Sequence, residues 1–162
     1  MKLTAFLENA RLLRELDILP LLYGSLGLEL ATGLPLSPDD IDILIPGTFL
    51  EEGWPAFRSF LEHRGYVLTD LHEHTFRKEG MEFSYARLEE LETFAGIPAA
   101  QIRTVSREGV SFRLLQPEQY LKVYTASAKD GYRKTVKNKK DEEKIALLRQ
   151  LLRDPTHPSQ GL

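Results

Sequence analysis

Asp40-Ile41-Asp42-Ile43-Leu44-Ile45 alternates two acids with large aliphatic residues and then runs on as aliphatics alone. In a strand, successive side chains point to opposite faces, so Asp40 and Asp42 share one face while Ile41 and Ile43 pack on the other. Two carboxylates side by side repel each other and lose hydration unless a cation sits between them. A divalent metal suits that place, because Mg²⁺ is typically held by one or two carboxylates together with substrate phosphates. The other reading is a pair of solvent-facing acids that guard an edge strand against aggregation. Upstream, Ile18 to Tyr23 is a short apolar run, read as a buried strand despite Pro20, and Gly24-Ser25 ends it. A Gly-Ser turn at the start of a helix suits phosphate, since backbone N–H groups gather there.

The elements around this pair follow from periodicity and punctuation. Leu3, Phe6, Leu7, Ala10, Leu13 and Leu16 repeat at helical spacing and predict an amphipathic first helix. Leu26 to Ala31 is a short helix with Ser25 as its cap, and Gly33, Pro35 and Pro38 mark a loop before the acidic strand. Phe49, Leu50, Trp54, Phe57, Phe60 and Leu61 make a helix face that Gly65 stops. Strands are predicted at Tyr66 to Asp70, Thr75 to Lys78 and Met81 to Ala86, with Glu79-Gly80 as a hairpin turn. A short helix covers Leu88 to Phe94. A second hairpin joins Ile102–Val105 to Val110–Leu115. Pro117 opens a helix reaching about Ala128, and Asp141 to Leu152 is a last amphipathic helix. The fold class is therefore α/β (α+β): a mixed β-sheet flanked by helices. The organisation is one compact unit, with a core over 1–115, a C-terminal helical cap over 116–154 and a frayed tail over 155–162.

The 162 residues are 42% hydrophobic and 28% charged, which supplies a sizeable core. There is no cysteine, which excludes disulfides, thiolate nucleophiles and Cys-ligated zinc and fits a reducing cytoplasm. Met1 to Ala10 holds no long apolar segment, so no signal peptide is expected. No run of about 18 apolar residues predicts a membrane span. Net charge is −3, but Lys129 to Lys140 carries six cations (Lys129, Arg133, Lys134, Lys137, Lys139, Lys140) against Asp130 alone. A basic cluster on an acidic body points to an anionic ligand or partner, unless it is simply a solvated segment.

The order helix, strand, Gly-Ser, short helix, loop and Asp-x-Asp strand resembles the nucleotidyltransferase superfamily with the polymerase-β-like fold. The pattern stands here as Tyr23-Gly24-Ser25 and Asp40-Ile41-Asp42-Ile43, with fourteen residues between Ser25 and Asp40. Leu115-Gln116-Pro117-Glu118-Gln119-Tyr120-Leu121-Lys122 and Ile145 to Leu148 resemble the helices that follow the core in small members of that superfamily. The resemblance implies a nucleotidyltransferase-like core with C-terminal helices, and a third acid on a later strand, for which Glu82 is the candidate. It implies Mg²⁺ or Mn²⁺ held by Asp40, Asp42 and Glu82. It also implies a nucleoside triphosphate donor whose phosphates meet Gly24 and Ser25, with Lys122 as a cation for departing pyrophosphate. Glu82 as an ordinary strand residue and Lys122 as a solvated helix lysine are the plainer alternatives.

The implied activity is transfer of a nucleoside monophosphate, AMP by default, from the triphosphate onto a hydroxyl of a small molecule, a protein or RNA. The alternative is an inactive module of the same fold that contacts an anionic partner through residues 129–140. Nucleic acid is open as a partner without being favoured, no membrane is expected, and a second subunit completing the cleft as a homodimer stays open. Tyr120, Tyr124 and Tyr132 are candidates to stack a base. His72-Glu73-His74 reads as an exposed turn rather than a metal pair.

Overall fold

The acid-bearing stretch sits at the centre of a seven-stranded sheet. The computed structural model describes residues 1–129 and 136–153. In chain order these form α1 (Lys2–Leu13), β1 (Leu21–Tyr23), α2 (Gly24–Thr32), β2 (Ile41–Ile45), α3 (Trp54–Glu62), β3 (Val67–Asp70) and β4 (Thr75–Lys78). Then come β5 (Met81–Arg87), α4 (Glu90–Ala95), β6 (Arg103–Arg107), β7 (Val110–Leu114), α5 (Pro117–Lys129) and α6 (Val136–Arg153). Strand order is β3-β4-β5-β2-β1-β7-β6. The pairs β2–β5 and β1–β7 are parallel and the others antiparallel, so the sheet is mixed, as expected.

The register divides the sheet into two faces. Leu114, Leu22, Ile43 and Tyr85 lie opposite one another across β7, β1, β2 and β5. Side chains level across a sheet share a face, and this one packs α1 and α3. Phe6 meets Phe112 edge-on at 5.1 Å, and Phe57 meets Tyr85 at 5.3 Å. Buried Asn9 donates from Nδ2 to the Tyr85 hydroxyl at 2.7 Å. One residue along, Tyr23, Asp42, Ser84 and Thr75 are level across β1, β2, β5 and β4 on the opposite face. The aliphatics of the Asp-x-Asp strand thus fill the core, and its acids face away from α1 and α3. The helices α5 and α6 pack on each other, and Tyr120, Val123, Ile145 and Leu148 join the same buried cluster as the sheet.

Element boundaries depart from the sequence reading where backbone chemistry intervenes. The first strand starts at Leu21 rather than Ile18. Asp17 takes a left-handed turn (φ 57°) after a 3-10 turn at Arg14–Leu16, and Pro20 has no N–H for a ladder. Ile18 is buried all the same. The single helix predicted through Phe49 to Leu61 is split. Gly47–Leu50 forms its own 3-10 turn, and α3 begins at Trp54 with Pro55 in its first turn. The last helix starts at Val136 rather than Asp141. Residues 130–135 and 154–162 lie outside the described residues, and with them Tyr132 and the tail. The side chains of the basic cluster lie outside them too. No described helix is long and apolar enough to cross a membrane.

Candidate functional site

Tyr23, the last residue of β1, pairs with Asp42. The chain then turns through Gly24 at φ +65° and enters α2. An L-side chain pays about 1–2 kcal/mol in that left-handed region. Space forbids one as well: a Cβ on Gly24 would fall under 3.0 Å from Asp42 Oδ2 and 3.1 Å from its Cγ. The glycine backbone is therefore pressed against the Asp42 carboxylate. Ser25 is not the cap that the sequence suggested. The helix starts one residue earlier, with Tyr23 in the cap position and no side-chain cap bond, because only glycine makes the turn. N–H groups of a first helical turn lack intrahelical acceptors. Here that turn opens into a pocket of about 160 Å³ lined by Gly24, Ser25, Asp42, Phe94, Tyr124 and Lys144, among others.

The turn is braced from behind. The Tyr120 hydroxyl, fully buried on α5, donates to the Leu22 carbonyl at 2.8 Å. Burial pushes this phenol well above the ordinary tyrosine pKa of 10.0, so the O–H stays a donor. Gly27 on α2 makes room for the bond: a Cβ there would fall under 3.0 Å from both the Tyr120 hydroxyl and Leu22 O. A tyrosine held this way is out of reach of a base, which corrects the stacking role expected for Tyr120.

Beside this pocket, and sharing Tyr23, Asp42 and Lys144 with it, a larger cleft encloses about 840 Å³, within the ~300–1,000 Å³ usual for ligand sites. Asp40, Asp42 and Glu82 all line it. Ile41 is opposite Phe83 and Asp42 opposite Ser84, which brings Glu82 level with Asp40 on the parallel neighbour. Glu82 accepts a hydrogen bond from Arg77 at 2.9 Å across the β4–β5 pair. Thr75 and Ser84 share a hydroxyl–hydroxyl bond of 2.8 Å on the same wall. Arg87, paired with Glu51, and Glu90 line the cleft further along.

The structure does not bring Lys122 to the acids. The buried face of α5 carries Tyr120, Val123, Tyr124 and Ser127, and Lys122 projects from the exposed side into a separate groove with Phe94 and Leu121. Lys144 on α6 lines both the acidic cleft and the Gly24-Ser25 pocket, with Nζ 5.0 Å from the centre of the Tyr124 ring. A signal for it existed in the sequence: Lys144 stands four residues before Leu148 and next to Ile145, a charge on the inner stripe of an amphipathic helix.

Of the two histidines in the β3–β4 turn, His72 is exposed, as expected. His74 is half-buried, its ring edge-on to Trp54 at 4.6 Å, and it lines the cleft. Burial, with His72 beside it, holds His74 below the ordinary 6.5 against the opposing pull of Glu73 and a backbone hydrogen bond to Tyr85. Sequence reasoning could not find this, since Trp54 comes from another element. Among the described residues, no group of three or more His, Asp or Glu gathers closely enough to hold a metal by itself.

No family model matches the chain. It is 46% identical over 141 residues to the uncharacterized protein YnaI of Bacillus subtilis (strain 168), spanning 87% of this chain and 90% of that one. Among solved structures it resembles an antigenic nucleotidyltransferase-like protein from Paracoccidioides brasiliensis, with a TM-score of 0.64 at 19% identity over 96% of this chain and 78% of the other. It also resembles the antibiotic-resistance factor ANT(2'')-Ia in solution, with a TM-score of 0.54 at 17% identity over 94% and 93%. Against the crystal structure of ANT(2'')-Ia in complex with adenylyl-2''-tobramycin the TM-score is 0.56 at 16% identity, over 93% and 87%. The resemblance stated from Tyr23-Gly24-Ser25 and the Asp-x-Asp strand is thus borne out as a fold. The chain belongs to the family of Bacillus subtilis YnaI, and its fold is that of the nucleotidyltransferases.

Proposed function

We propose that the protein is a Mg²⁺-dependent nucleotidyltransferase that moves a nucleoside monophosphate, AMP by default, from a nucleoside triphosphate to a hydroxyl. The observation that carries this is the close approach of the Gly24 turn to the Asp42 carboxylate, which supports reading turn and acid as one unit. The donor set fits the metal. Asp40 and Asp42 offer hard carboxylate oxygens on one cleft wall, and Mg²⁺ needs only one or two carboxylates when phosphates complete its shell. Asp40 and Asp42 would hold it, with Glu82 on the same cleft wall toward the acceptor rather than as a third ligand, and when bound it neutralises charge on the phosphates.

The remaining work belongs to this chain. Gly24 and Ser25 present backbone N–H groups and a hydroxyl to the donor phosphates. Lys144 replaces Lys122 as the cation beside them. Glu82, held by Arg77, orients the acceptor hydroxyl or takes its proton. The acceptor oxygen bonds to the α-phosphorus, the bond from that phosphorus to the bridging oxygen breaks, and pyrophosphate leaves. Catalysis is then mainly positioning and charge neutralisation. The cleft leaves room for an acceptor of small-molecule size; an aminoglycoside, as in the ANT(2'')-Ia complex, belongs on the first screening panel.

Titration calorimetry of MgATP and the other Mg-nucleoside triphosphates tests the reading. Wild type is expected to bind in the micromolar range only with metal present. Asp40→Asn/Asp42→Asn abolishes binding, and Lys144→Ala weakens it. A folded wild type that binds no nucleotide overturns the proposal.

A further inference from the structure

The pocket at Gly24-Ser25 is too small for a whole nucleotide. Its volume of about 160 Å³ falls below the ~300–1,000 Å³ usual for ligand sites, room for phosphates but not for a ribose and base as well. A bound donor must extend out of it, and the pocket has two neighbours. One is the 840 Å³ cleft, whose walls carry Asp40, Glu73, Glu82 and Glu90. That cleft must also admit the acceptor hydroxyl next to Asp42. The other is a groove of about 740 Å³ between α4 and α5, walled by the apolar side chains of Phe94, Ala95, Leu121 and Ala126 with Glu118, Lys122 and Thr125 among them.

Phe94 is the residue common to the small pocket and this groove that stands out into solvent. It is 42% exposed, one of few large apolar side chains so placed among the described residues. The other aromatics near the pocket are engaged: Tyr120 is fully buried, and the Tyr124 ring has Lys144 over it. An exposed ring at the junction between a phosphate pocket and a partly apolar groove has the chemistry of a base-stacking platform, because every nucleobase presents a π-face.

We propose that the donor nucleotide leaves the Gly24-Ser25 pocket over Phe94, with its base stacked on that ring and lying in the α4–α5 groove. The inference rests on the donor reading above and adds the half of the donor which that reading leaves unplaced. It also assigns the two openings: the groove takes the donor base and the acidic cleft takes the acceptor.

Three probes separate the possibilities: MgATP, Mg-tripolyphosphate and the fluorescence of Phe94→Trp. Wild type is expected to bind MgATP more tightly than tripolyphosphate. Phe94→Ala, at an exposed position and checked for folding by circular dichroism, weakens MgATP by about 5- to 140-fold and leaves tripolyphosphate unchanged. Phe94→Trp retains MgATP affinity, and its added fluorescence is quenched by MgATP and not by tripolyphosphate. Unchanged MgATP affinity in Phe94→Ala overturns the proposal, as does an equal loss for both ligands. If wild type binds both ligands equally well, the base platform is refuted and the phosphate site stands. If wild type binds neither, the donor reading itself has failed.

Discussion

Replacing Gly24 by alanine tests whether the Gly24 turn and Asp42 form one unit. Two costs arise, and a second glycine separates them. The first is conformational: an alanine at φ +65° costs about 1–2 kcal/mol. For a domain of this length that lowers Tm by roughly 2–8 °C. Gly33, which ends α2 at φ +79° with nothing within 4 Å of an added Cβ, bears that cost alone. The second cost is local to the site. The new Cβ would lie under 3.0 Å from Asp42 Oδ2, against 3.4–4 Å for ordinary contact, and the backbone behind it is held by Tyr120. The carboxylate has to retreat, and a displacement of about 1 Å at a reacting centre can cost on the order of 100-fold. Differential scanning fluorimetry should thus show a loss of Tm in both variants, at least as large in Gly24→Ala as in Gly33→Ala. Calorimetry with MgATP should show a loss of roughly 100-fold in Gly24→Ala alone. If Gly24→Ala binds MgATP as tightly as Gly33→Ala does, Asp42 is not a ligand of the donor complex and the argument fails.

Tyr120→Phe removes the hydroxyl's bond to the Leu22 carbonyl and should cost about 0.5–1.5 kcal/mol, read as a lower urea midpoint with an unchanged slope. An unchanged midpoint would mean that the bond to Leu22 contributes nothing to the turn. His74, whose pKa is lowered in the fold, gives the opposite sign to a salt-bridged histidine. The folded state binds its proton less readily than the unfolded chain, so the contribution is complete above pH 6.5 and is lost as pH falls through the lower folded value. Urea midpoints measured downward from pH 7 should decline more steeply in wild type than in His74→Phe, and an NMR titration of the His74 ring should place its pKa below the ordinary 6.5.

The Asp-x-Asp strand was legible because alternation is a local property: the residues that face the core and those that face the cleft are adjacent in sequence. The Thr75–Lys78 strand and the two hairpins were legible for the same reason, each being bounded by its own turn residues. What the sequence hid depends on partners from elsewhere. Lys122 and Lys144 are both helix lysines, and only the packing of α5 on α6 decides which one lines the cleft with Asp42. Ser25 looked like a cap because serine usually is one, and the turn at Gly24 pre-empted it. Tyr120 read as an available ring until its hydroxyl was seen to be spent on Leu22.

The parallel pairs at the centre of the sheet bear on how the protein comes to be folded at all. Asp42 faces Ser84 across β2 and β5, and Leu22 faces Leu114 across β1 and β7, so each central strand waits for a neighbour made much later in the chain. Closing such long loops is slow, because chain entropy is lost before any contact repays it. The cleft wall at Asp42 and Ser84, and the Tyr120 brace behind Gly24, exist only after those closures. A nascent or partly folded chain lacks that wall and brace, and any molecule that recognises the finished site draws the folding equilibrium toward the native state by mass action.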